Sequence, residues 1–369
     1  SGGAGLAIDT FDQAAVNAAN LGTVDSIDDD VDQDVDDLAQ SAANAADSVG
    51  EISNGAQAAT NVVNSLNVAG AVDDDVQQTV SEFFNIQPVS QSASNVADAD
   101  LDISDMTQDA VNAANLASVG SVGDNVTQTA YDLDQDATNL SFAFFGDISN
   151  VEQAATNVVN SLTMMGDIGG NVFQDFAFAD QNAGNTLDGV LSIDGSTQDA
   201  VNAANLATVM DVDGDFLQIV ESVGQFASND ALVVLGDVTN TDQAATNVSN
   251  SVSGAGAGLN VTTLTQLGID ATQVASNNIA ASPILGFEVT GVDNVDQTSV
   301  NAINLATLND VDMSLDQSVI ATGQLAVNTV VDVDASTGGI TDLTQAATNV
   351  ANSATLDDIF VGATLTQSA

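Results

Sequence analysis

The chain is 369 residues long and carries 52 Asp plus Glu with no Lys, Arg or His, a formal charge of −52. That excludes a His or Lys base for a Ser or Thr nucleophile, cationic clamps for phosphate or nucleic acid, and lysine isopeptide cross-links, while the absence of Cys excludes disulfides and thiolate metal sites. A hydrophobic fraction of 44% nevertheless points to an ordered chain and not to a solvated polyanion.

The chain opens Ser1-Gly2-Gly3-Ala4-Gly5 in place of a Met, so a removed leader and an extracellular or cell-surface location are expected. No run approaches about 18 uninterrupted apolar residues, so no membrane span is expected. Residues 1–12 read as an N-terminal edge segment and 13–369 as a single repeat array. The first motif is Gln13-Ala-Ala-Val-Asn17-Ala-Ala-Asn20-Leu21; it returns at Gln108 with Asn112, Gln198 with Asn202, and Gln297 with Asn301. Between these lies a sister form, Gln57-Ala-Ala-Thr-Asn61-Val-Val-Asn64-Ser65, repeated at Gln153 with Asn157, Gln243 with Asn247, and Gln345 with Asn349. Units therefore start near 13, 57, 108, 153, 198, 243, 297 and 345, about 45 residues apart.

Each unit but the last holds a second, weaker copy, from Gln40-Ser-Ala-Ala-Asn44 and Gln91-Ser-Ala-Ser-Asn95 to Gln324-Leu-Ala-Val-Asn328. In most units a further Gln stands seven residues earlier, as at Gln33 and Gln128. Insertions at Glu82 to Pro88 and Ser251 to Leu259 mark loops. Gln, Ala and Asn at i, i+2 and i+4 share one face of a strand, and stacking at about 4.8 Å lets each inward amide donate to one neighbour and accept from the other. A helical repeat is the competing reading of a 45-residue period, but the chain is rich in Asn, Asp, Val, Thr, Ser and Gly and poor in Leu at helical spacing. The expected fold is all-β, a repetitive β-solenoid of about 15–16 short rungs, two per unit of about 45 residues.

A rung of roughly 22 residues with an inward Gln, a small residue and an inward Asn resembles the curlin repeat of bacterial curli. The resemblance spans most of the chain in rhythm, with Ala where curlin prefers Gly and the Asn one residue nearer the Gln. It implies a solenoid of strand-turn-strand rungs, exported unfolded and polymerised into amyloid-like surface fibres. It also implies a ladder role for Gln13 with Asn17 and their counterparts.

Among acidic motifs, Asp211-Val-Asp213-Gly-Asp215 is the candidate cation loop, because Ca²⁺ takes several oxygen ligands from closely spaced carboxylates. The EF-hand pattern breaks at Phe216 and Ser222. Corresponding turns read Asp28-Asp29-Asp30 and Asp73-Asp74-Asp75, so like charges recur at one stacked position. No cofactor is required; Ca²⁺ or other cations enter as screening ions. A glycosidase pair is not singled out, since the acids scatter with the repeat. After Gln345 the chain reaches Gln367 without another motif copy, and this half-built rung, with Gly5-Leu-Ala-Ile8 as its complement, suggests a head-to-tail homopolymer. The expected function is the structural subunit of a self-assembling extracellular filament in matrix, adhesion or protection; the alternative is a monomeric surface solenoid binding calcium, polysaccharide or ice.

Overall fold

The computed structural model describes residues 7–81, 88–254, 260–281, 291–308, 310–332, 340–356 and 364–368. The insertions expected as loops fall largely at 82–87 and 255–259, outside the described residues. Every regular element described is a β-strand, and every strand pairing is parallel. Among the described residues no helix is long and apolar enough to cross a membrane.

One unit makes one coil. The first contains β1 (Ile8–Val24), β2 (Val31–Val35) and β3 (Ala39–Ser48), and the second β4 (Ile52–Val72), β5 (Val76–Val80) and β6 (Val89–Ala99). β1 pairs with β4, β2 with β5 and β3 with β6, placing Gln13 beside Gln57, Gln33 beside Gln78 and Gln40 beside Gln91. The same order continues to Gly323–Asp332, Ile340–Leu356 and Thr364–Ser368. Residues 8–12, expected as an edge segment ahead of the array, are the first part of β1, with Ile8 beside Ile52.

The all-β solenoid is as expected, but the rung count is corrected: among the described residues eight coils stack, one per unit, and each Gln motif pairs with the equivalent motif a whole unit away. The reason lies in the backbone. Each long strand turns a corner seven residues after its Gln, where Asn20, Asn64, Asn115, Asn160, Asn205, Asn250, Asn304 and Asn352 all have φ between 51° and 58°. That left-handed region suits Asn, whose short side chain bonds locally. The weaker copies carry no such corner seven residues on; Asp98, for example, is ordinary strand. Strong and weak segments therefore follow different paths and face each other across the interior. A whole coil, and not a 22-residue half, is the stacking period.

Inside, residues sort into columns. Small Ala59, Ala110, Ala155 and Ala200 meet Ala93, Ala137, Ala183 and Ala227 midway between Gln and Asn, which lets the facing sheets approach. Flanking apolar columns, such as Ile52, Ile103, Ile148 and Ile193 at one end of the coil and Val72, Val122, Ile168 and Val212 at the other, supply the dry core.

Candidate assembly interface

The inward amides form six continuous ladders. Along the strong strands, Gln57 donates to Gln13, Gln108 to Gln57, and so on through Gln153, Gln198, Gln243 and Gln297 to Gln345, at 2.7–3.0 Å. The Asn ladder beside it runs the other way: Asn17 donates to Asn61, Asn61 to Asn112, then through Asn157, Asn202, Asn247 and Asn301 to Asn349, at 2.8–2.9 Å. The weaker copies repeat the opposition, with Gln91 donating back to Gln40 and Asn44 donating on to Asn95. All expected ladder residues are thus brought into register.

Two ladders were not anticipated. The corner asparagines link Asn20 to Asn64, Asn115 and onward to Asn352, and the middle glutamines link Gln78 to Gln33 and onward to Gln367. Both were visible as 45-residue repeats, but a period-two strand pattern puts Asn20 on the outward face. The left-handed corner turns it inward. The seven-residue spacing seen at Gln33 and Gln128 does not hold for Gln78, because the insertion at 82–87 separates it from Gln91.

Ladder polarity follows from what each amide faces. Gln57 also donates to Val96 O at 3.1 Å and Asn61 to Ser92 O at 2.8 Å. A main-chain carbonyl only accepts, so nitrogen must point at it, leaving one N–H for the stack and the oxygen for the opposite neighbour. Each buried amide so satisfied gains about 0.5–1.5 kcal/mol net, whereas an unpaired one costs about 1–3 kcal/mol. Gln and Asn ladders of opposite sense also offset each other's dipoles.

The outer face of the strong strands alternates strictly from coil to coil. Leu21, Ser65, Leu116, Ser161, Leu206, Ser251, Leu305 and Ser353 form one column, and Val16, Thr60, Val111, Thr156, Val201, Thr246, Val300 and Thr348 another. A third, Ala18, Val62, Ala113 and so on to Val350, is large where the Leu/Ser column is small. Bulky groups at adjacent strands would crowd; the checkerboard interlocks them.

The acidic turns stack as expected, but Asp211, Asp213 and Asp215 do not gather around one point. Asp211 Oδ1 accepts from Asn260 Nδ2 at 2.6 Å, Asp213 O accepts from Thr262 Oγ1 at 3.0 Å, and Asp215 N donates to Asn171 Oδ1 at 2.8 Å. Each belongs to its own column. Asp215 ends a surface series in which Asp30, Asp75, Asn125 and Asn171 each accept the next coil's N–H. The described carboxylates whose oxygens come within 4.8 Å of one another as a trio are Asp29, Asp30 and Asp74, all exposed.

Crowding raises several carboxyl pKa values. Desolvation, then the charges of Asp30, Asp29, Asp75 and Asp124, raise Asp74. Desolvation, aided by Glu152 in the coil between them, raises Asp109 and Asp199. Burial raises Asp175 against the opposing hydrogen bond from Tyr131, whose hydroxyl donates at 2.6 Å. Where hydroxyls and amides surround the acid the shift reverses: Asn54, Ser53 and Thr10 lower Asp9, while Thr239 and Asn240 lower Asp194. The aromatics divide: Phe176 is fully buried, whereas Phe144 and Phe145 are 46% and 63% exposed in an edge contact of 4.3 Å.

Comparison with known proteins found no matching family model, curated protein or solved structure.

Proposed function

We propose that the chain is a structural, non-catalytic subunit of a self-assembling extracellular filament with a matrix, adhesive or protective role. The observation that carries this reading is the state of the two outermost strong strands. Among the described residues β1 and Ile340–Leu356 each pair along one edge only, and the amide ladders stop there. A strand edge of this kind is a template for further pairing. The curlin-like rhythm of inward Gln, small residue and inward Asn supports the same reading. Freedom from Lys and Arg suits exposed material, since trypsin-like proteases have no site to cut. The stacked acidic turns give cations a part as screening ions, so that assembly is favoured by salt, divalent ions or acid.

The test is negative-stain electron microscopy of the purified chain at neutral pH, with and without millimolar calcium, followed by fibre diffraction. Filaments with a repeat near 4.7–4.8 Å are expected, the spacing of stacked strands. Monomers persisting in every condition would overturn the proposal.

A further inference from the structure

Resting on the filament reading, we infer that the junction between copies is directional and in phase: β1 of one copy adds in parallel to Ile340–Leu356 of another, Gln13 over Gln345, Asn17 over Asn349 and Asn20 over Asn352. Four independent features of the two faces meet in this register.

The first is hydrogen-bond polarity. Every Gln ladder donates toward lower residue numbers and every Asn ladder toward higher ones. On Ile340–Leu356, Gln345 therefore offers its oxygen, while Asn349 and Asn352 offer N–H. On β1 the offer is reversed: Gln13 has N–H to give, and Asn17 and Asn20 have oxygen to accept. Face to opposite face, each donor meets an acceptor. A two-fold contact of β1 with β1 would run the strands antiparallel and break the register of every column.

The second is the checkerboard. β1 carries Val16, Ala18 and Leu21, and the last strong strand carries Thr348, Val350 and Ser353, so the alternation passes through the junction unbroken. Pairing two coils of the same form would set Leu on Leu and Val on Val. The structural repeat is thus a pair of coils, and Ile340–Leu356 carries the form that β1 follows.

Charge is the third. In a chain of charge −52, this register opposes no acid to an acid along the strand: Asp9 falls over Thr341 and Asp12 over Thr344. Internally the same columns do contain one such pair, Asp242 beside Asp296. The fourth is apolar surface. Ile8 and Phe11 at one end and Leu343 and Leu356 at the other are the half-buried terminal members of core columns. Val16 and Leu21 are 65% and 60% exposed, whereas Leu116 and Leu206, flanked on both sides, are half-buried. β2 continues the contact by setting Gln33 over Gln367, whose oxygen takes no N–H from a further layer. Gly323–Asp332 is the outermost weak strand described, and the contacts of the junction lie on the other two arcs.

The absence of cysteine permits a direct test. Val16→Cys and Thr348→Cys place thiols on the outward face at positions that the junction makes cross-strand neighbours. Stacked strands lie about 4.8 Å apart, within the Cα separation of about 4.4–6.8 Å that a disulfide bridges. The double variant, assembled and then oxidised, is expected to give a ladder of covalent dimers, trimers and higher species on a non-reducing gel. A mixture of the two single variants should stop at dimers, and each single variant alone should stay monomeric. Leu21→Cys with Ser353→Cys provides a second pair. Covalent dimers from a single variant alone, or filaments in which neither pair cross-links, would overturn the junction while leaving the filament intact. Failure of the parent chain to form filaments would instead remove the reading on which the junction rests.

Discussion

Asn61 Nδ2 donates to Asn112 Oδ1 at 2.8 Å, a contact that crosses 51 residues of sequence and a single strand spacing. Both side chains are fully buried, so the bond operates where water cannot replace it. The interior of this protein is held by repetition of that contact as much as by apolar packing.

Breaking a ladder in mid-stack should therefore be costly. Asn157 donates to Asn202 Oδ1 at 2.9 Å and to Asn182 O at 2.7 Å, and accepts from Asn112. Asn157→Ala is expected to destabilise by about 1–3 kcal/mol, the cost of leaving buried partners unsatisfied. Asn157→Asp removes both donors and adds a buried charge, for which about 3–5 kcal/mol is expected. Urea midpoints check the order; an Asp variant as stable as the parent would refute the ladder account.

Ala321 sits at a coil corner with φ of 54°, a left-handed position taken in other coils by Asp132, Phe178, Ser222 and Asp270. A side chain at that conformation costs about 1–2 kcal/mol, and glycine forfeits about 0.5–1 kcal/mol through its freer unfolded state. Ala321 is exposed, so no packing is lost on truncation. Ala321→Gly should raise stability by up to about 1 kcal/mol, and Ala321→Val should lower it. Thermal unfolding of the two variants provides the comparison.

Stability should rise as pH falls from neutrality. Asp74, Asp98, Asp109, Asp134, Asp175, Asp188 and Asp199 have raised pKa values in the folded chain, so the folded state binds protons before the unfolded one. Their contribution is complete below the unfolded carboxyl value of about 3.9 and is lost as pH climbs through the raised values. Asp9 and Asp194 are lowered and act in the opposite sense, losing stability as pH falls through their folded values. With seven groups against two, the melting temperature should increase between pH 7 and about pH 4. A flat or falling profile would contradict this balance.

Salt should matter most at the crowded turn. Asp29, Asp30 and Asp74 bring their oxygens within 4.8 Å with no cationic side chain in the chain to offset them. Asp74→Asn should raise the melting temperature at low ionic strength. The gain should shrink toward zero in about 1 M salt, where the screening length is about 3 Å. An equal gain in both conditions would show that repulsion is not its source.

Most of the strong and weak Gln and Asn positions could be read in the letters because an inward face every second residue and a 45-residue period leave a plain signature. The corner asparagines could not. Asn20 and Asn64 repeat as faithfully as Asn17 and Asn61, yet strand periodicity assigns them outward, and only the positive φ of 51° brings them in. The Asp211, Asp213 and Asp215 motif misled for a related reason. Closeness in sequence suggested a shared ligand sphere, but in an extended chain each residue answers to its stack, and Asp74 meets Asp29 and Asp30 across 44 or more positions.

The sequence by itself determined the class of fold, the unit length, the absence of basic and thiol chemistry, and the alternation of two unit forms, because all of these are properties of composition and period. Tertiary structure alone decided that a coil takes the whole unit and that Gln and Asn ladders run in opposite senses. Both depend on what lies across the interior. A strong strand faces a weak one whose carbonyls can only accept, and that one-sided demand orients each amide in the stack.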